Sequence, residues 1–181
     1  MKPALDYFIE FLPDYASDIR ANLSVVLTPE GSPGLTESQI FGAALVAAYA
    51  TRQNDTVQGM EMLAKDRLSA EEIRAAKIAA CLMAMNNMYY RFVHLTGDPD
   101  FDSMPTHLKM SALAASGIKK DEFETFLLSV SVSNGCDHCV KVHTKRLLEA
   151  GMTKQAVQSV ARIASVVNAA AQAKFIADTS Q

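Results

Sequence analysis

Chain-breaking residues gather in only two stretches, 28–33 and 97–105, and the long segments between them repeat apolar residues at helical spacing. Little room is left for a sheet. The alternating run Val130-Ser131-Val132-Ser133 covers four residues inside a longer helical period, so an all-α fold is expected. Pro13 ends a first helix over 6–12 and suits the first turn of a second over 14–27. Thr36 with Gln39, and Ser69 with Glu72, have capping-box spacing and open helices running to about Ala50 and Val93. Asn54 or Asp55 caps a helix over 56–66. A turn at Gly97-Asp98-Pro99-Asp100 precedes a modest helix from Asp102 or Ser103 to Ala115, closed by Gly117. Helices over 119–133, 136–150 and 153–176 complete the chain, with Gly151 as a C-cap glycine.

The 181 residues fit one domain, and 49% hydrophobic with 20% charged residues is a globular composition. A net charge of −3 without a basic block gives no nucleic-acid surface. No apolar run reaches membrane-spanning length. The first residues carry acids inside their apolar stretch and do not read as a secretory signal, so a cytoplasmic protein is expected. An internal repeat is also expected: 68–87 resembles 152–171 at an offset of 84, giving helical units over about 36–95 and 120–177. At that offset Arg52 stands opposite Cys136 and Gly59 opposite His143, so only the second unit carries the chemistry.

That chemistry lies in Ser133-Asn134-Gly135-Cys136-Asp137-His138-Cys139-Val140-Lys141-Val142-His143. Thiols three residues apart on one helical turn are close enough to pair. Asn134-Gly135 stops the preceding helix, so Cys136 falls at a helix N-terminus, where unpaired N–H groups favour a thiolate. His143 shares a helix face with both cysteines and with Val140 and Leu147, which should point inward; Asp137, Lys141 and Lys145 should be wet. A histidine there can move thiol protons near neutral pH. Glu124, one residue off the apolar stripe of the preceding helix, could orient that imidazole, with Asp121 and Glu122 also nearby. His138, between the cysteines, would tune them from a partly exposed position. Cys81 should be an inert buried cysteine, and His94 and His107 structural. Two other readings stay open at this point: a zinc site built from Cys136, Cys139, His143 and Glu124, and a non-catalytic helical interaction module. No glycine-rich phosphate loop follows a strand, so no nucleotide cofactor is inferred.

The segment Asn134-Gly135-Cys136-x-His138-Cys139-x-x-x-His143, with Glu124 twelve residues before Cys136, resembles the active site of the alkyl hydroperoxide reductase D proteins, in the carboxymuconolactone decarboxylase-like family. The likeness extends to Leu12-Pro13-Asp14-Tyr15-Ala16, Asp18-Ile19, Asn22-Leu23, Met85-Asn86-Asn87 and Tyr90-Arg91. It implies an all-helical subunit assembled as a trimer, in some relatives a hexamer. It implies an antioxidant reductase that reduces the disulfide of a peroxiredoxin (alkyl hydroperoxide reductase C) and weakly reduces hydroperoxides directly. A lipoylated acyltransferase fed by dihydrolipoamide dehydrogenase would re-reduce it, with no bound cofactor. By the same resemblance Cys139 becomes the sulfenic acid, Cys136 donates a proton and closes the disulfide, Glu124 and His143 form the proton relay, and His138 supports them. The helix N-terminus instead favours Cys136 as the stronger thiolate. Cys136 is also expected to be the more exposed thiol, the one that meets a partner disulfide.

Overall fold

The computed structural model describes residues 9, 10 and 12–179, and most helix ends within them follow local signals. After Pro13 a 3₁₀ turn, Asp14–Ala16, leads into α1 (Ser17–Val26). Thr36 and Gln39 close a capping box on α2 (Glu37–Thr51), and Ser69 and Glu72 do the same for α4 (Ala70–Thr96). Between them lies α3 (Asn54–Lys65), whose cap differs from expectation. Arg52 turns left-handed, with φ 59°, and this places Gln53 at the N-cap, where its side chain accepts from Thr56 N at 2.6 Å.

The helix expected from Asp102 or Ser103 to Ala115 does not form. Instead Asp98 caps a short α5 (Pro99–Ser103), Met104 is extended, and a separate 3₁₀ segment spans Ser111–Ala115. Pro105 explains the break, because proline disfavours helical backbone before it and donates no N–H. The last third is α6 (Lys120–Ser133), α7 (Asp137–Glu149) and α8 (Lys154–Thr179). Among the described residues there is no strand. The helix expected over 6–12 lies mostly outside them.

Two helices make the centre. All of 39–48 in α2 and 123–131 in α6 are buried, so each helix is enclosed on every side. They pack on each other and on the long helices α4 and α8, while α3 lies against α2 and α7 against α6. Small residues permit this closeness. A Cβ on Gly42 would sit 2.0 Å from the Phe126 ring, so the ring occupies the space a side chain there would need.

The halves follow one order. Helices α2, α3 and α4 begin at 37, 54 and 70, and α6, α7 and α8 at 120, 137 and 154. Ser38 donates a hydrogen bond to Glu122, its counterpart 84 residues on, and Gly42 likewise meets Phe126. We propose that these are two copies of one helical unit within a single domain. Among the described residues no helix is long and apolar enough to cross a membrane.

Candidate redox-active site

One turn places the dithiol. At the end of α6, Gly135 is left-handed, with φ 63°. Gly135 N donates to Val132 O at 3.0 Å, and Cys136 N to Ser131 O at 3.1 Å. This is a Schellman stop. The same Cys136 is the N-cap of α7, where its Sγ accepts from Cys139 N at 3.3 Å. Cys136 thus ends one helix with its backbone and caps the next with its sulfur. Cys136 and Cys139 are joined as a disulfide, with Cα atoms 5.4 Å apart. Once the pair is reduced, the N–H directed at Sγ stabilises negative charge there.

The relay residues come together across the contact of α6 and α7. His143 lies on the buried face of α7, one turn after Cys139. Its Nδ1 is 2.7 Å from Glu124 Oε2, and the other carboxylate oxygen accepts from Arg146 Nη1 at 3.1 Å. Glu124 is buried, which pushes its pKa up. The His143 hydrogen bond, the His143 charge and Arg146 outweigh this and hold the carboxyl below the usual glutamate range. An ionised carboxylate only accepts, so Nδ1 carries the proton and Nε2 is left as the basic nitrogen. Glu124 and Arg146 also line a cavity of about 460 Å³ with Lys120, Asp121 and Glu149. Arg146 was not anticipated, although its position three residues after His143 on one helix places the two as neighbours.

Around the dithiol, α4 supplies further contacts. The Tyr90 ring stacks on His138, with centroids 4.8 Å apart and planes at 13°. His94 Nε2 approaches Asp137 Oδ2 at 3.4 Å. Tyr90, His94 and His138, with Val93, Gly97, Asp98, Pro99 and Asp102, border a cavity of about 290 Å³. His138 is half-buried, as expected, while Asp137, Lys141 and Lys145 are exposed.

Two expectations need correction. Cys136 is 0% exposed and Cys139 4%, so Cys136 is not the more accessible thiol. Its two capping roles draw it inward. Cys81 is free and exposed rather than buried. The inner face of α4 runs through Ala75, Ala76, Ala79, Met83, Asn86 and Asn87, and Cys81 lies off it. Among the described residues, no group of three or more His, Cys, Asp or Glu side chains is arranged to hold a metal ion.

Residues 99–178, which contain the dithiol, His143 and Glu124, match the carboxymuconolactone decarboxylase family. A Coxiella burnetii protein named alkyl hydroperoxide reductase AhpD is 42% identical over 172 residues, covering 95% of this chain and 97% of its own. Proteins of the same name from Rhodospirillum centenum and Rhodopseudomonas palustris are 41% and 40% identical, covering 88% and 93% of this chain and 84% and 91% of their own. Identity at this level along almost the whole length shows that the chain belongs to the alkyl hydroperoxide reductase AhpD family.

Proposed function

We propose that the protein is a thiol-dependent alkyl hydroperoxide reductase working through Cys136 and Cys139. The observation that carries this reading is the buried Glu124–His143 pair set one helical turn from a cysteine pair already closed as a disulfide. Glu124 holds the His143 tautomer, and His143 Nε2 takes the Cys139 proton. The thiolate attacks the outer hydroperoxide oxygen, the O–O bond breaks, and the alkoxide leaves as alcohol with a proton supplied through Cys136. Cys136 sulfur then attacks the sulfenic acid, forming the disulfide and releasing water. Two thiols and one hydroperoxide become one disulfide, one alcohol and one water.

A dithiol donor restores the pair by exchange, and a lipoylated protein reduced by dihydrolipoamide dehydrogenase fits that role. The reduced pair in turn reduces the disulfide of a peroxiredoxin, with Cys136 forming the mixed disulfide. Since both sulfurs are buried, exchange with a protein requires the turn at Gly135 to open, whereas a small hydroperoxide makes a lesser demand. Met88, Phe92 and Leu95 are exposed along one stripe of α4, which supports assembly of subunits through helix faces.

Reconstitution tests this. Protein, peroxiredoxin and reduced lipoyl donor are mixed with hydroperoxide, with and without Cys136→Ser. The expected result is peroxide consumption that needs all components and is lost in the variant. Consumption unchanged by Cys136→Ser contradicts the reading.

A further inference from the structure

Asn87 projects from α4 into the space behind the dithiol turn. It is 1% exposed, and both ends of its amide are engaged. Its Nδ2 donates to Ser131 Oγ at 3.0 Å and faces Met83 Sδ at 3.8 Å. Its Oδ1 accepts from Asn134 Nδ2 at 3.0 Å. Ser131 and Asn134 belong to the helix stop that delivers Cys136. The Ser131 carbonyl receives the Cys136 N–H, and Asn134 directly precedes left-handed Gly135. One side chain therefore spans the segment whose closure sets Cys136 over the first turn of α7. Gly135 is exposed and has no side chain with which to fix the turn. A buried amide is costly to leave half-satisfied, so the clamp resists opening.

We propose that Asn87 is a positioning residue for the redox pair: by tying Ser131 to Asn134 it holds Cys136 where its sulfur closes on Cys139, and so favours the disulfide over the dithiol. Asn87 acts through the turn. The inference rests on the reading that Cys136 and Cys139 cycle between thiols and disulfide. Its physical basis is effective concentration, because a disulfide within one chain is favoured in proportion to how often its sulfurs meet. Loosening the clamp destabilises the disulfide and slows closure on the sulfenic acid.

The test is a redox titration against mixtures of lipoamide and dihydrolipoamide in a Cys81→Ser background, with the oxidised fraction read by thiol alkylation. Asn87→Ala, Asn134→Ala and their double variant are compared with Leu23→Ala, a buried substitution in α1. Each clamp variant is expected to shift the equilibrium toward the dithiol by about fivefold to tenfold, on the scale of one lost buried hydrogen bond. The double variant should shift no further than the larger single, since both changes release the same clamp. Leu23→Ala should lower the melting temperature and leave the equilibrium in place. Asn134 is only partly buried, so its variant keeps the test open if Asn87→Ala folds poorly. Unshifted equilibria in the clamp variants, full additivity in the double variant, or an equal shift in Leu23→Ala would overturn the proposal. A parent protein that never equilibrates with the lipoamide couple overturns the redox reading itself, whereas a parent that equilibrates beside unshifted variants overturns only the clamp.

Discussion

Glu124 Oε2 lies 2.7 Å from His143 Nδ1, and the pair is almost wholly enclosed between α6 and α7. The carboxylate accepts from Nδ1, so it leaves the imidazole one tautomer, with Nε2 free to accept a proton. Glu124→Gln keeps the shape and removes the charge. Stopped-flow oxidation of the reduced dithiol by a small hydroperoxide should slow by about 10²-fold, the usual contribution of a positioned base. Far-UV circular dichroism should stay that of a folded helical protein. An unchanged oxidation rate would remove the relay from the account.

The same pair carries a pH signature. Glu124 is held below the ordinary carboxylate range, so the folded state binds its proton less tightly than the unfolded state does. Its stabilisation is complete above about pH 4.3 and is lost as pH falls through the lower folded value. Melting curves from about pH 6 to about pH 3 should therefore show a steeper acid loss for the parent than for Glu124→Gln.

Glu122, two residues earlier, predicts the opposite sign. Burial raises its pKa. The Ser38 hydrogen bond works against this, and the neighbouring Glu72 carboxylate, which shares the Ser38 hydroxyl, raises it further. The folded state holds this proton more tightly than the unfolded state. Stability is therefore lost as pH rises from about 4.3 through the raised folded value. Glu122→Gln removes that loss. It should raise the melting temperature at neutral pH by a few degrees, with the gain fading below about pH 4. A gain of equal size at acid pH would contradict the assigned cause.

Gly135 and Gly97 are both left-handed, with φ of 63° and 64°. Replacing either by alanine costs about 1–2 kcal/mol of backbone strain. Neither new Cβ would clash: nothing lies within 4 Å at 97, and the nearest atom at 135 is Arg91 Nη2 at 3.9 Å. Only Gly135 sets the position of Cys136. Gly135→Ala should slow disulfide closure after hydroperoxide treatment, while Gly97→Ala should lose comparable stability and close normally. Equal closure rates in the two variants would show that the turn does not govern the chemistry.

Much of this was legible in the sequence, because the two cysteines and His143 recur at helical spacing on one helix. Glu124 was harder. Asp121, Glu122 and Glu124 sit close together in α6, and periodicity could not say which meets the histidine. The packing separates them: Glu122 turns to Ser38, Asp121 is exposed, and Glu124 is buried against His143. Cys81 misled because the run Ala79-Ala80-Cys81-Leu82-Met83-Ala84-Met85 is apolar all round, leaving no polar face to mark the outside. Met85-Asn86-Asn87 was visible only as a likeness to relatives, since the partners of Asn87 lie 44 and 47 residues away on another segment. Near 102–115 the apolar spacing is helical, but Pro105 disfavours helical backbone before it and the segment breaks there.

The central claim is that Cys139 meets the hydroperoxide and Cys136 resolves it. The most direct measurement traps the sulfenic acid with a carbon nucleophile such as dimedone, in a Cys81→Ser background that removes the exposed third thiol. The adduct is located by peptide mass spectrometry after one equivalent of hydroperoxide. In Cys136→Ser, which cannot close the disulfide, the account predicts one adduct, on Cys139. In Cys139→Ser it predicts essentially none on the same timescale. Rapid adduct formation on Cys136 in Cys139→Ser, with Cys139 unlabelled in Cys136→Ser, would contradict it and make the N-cap thiol the nucleophile.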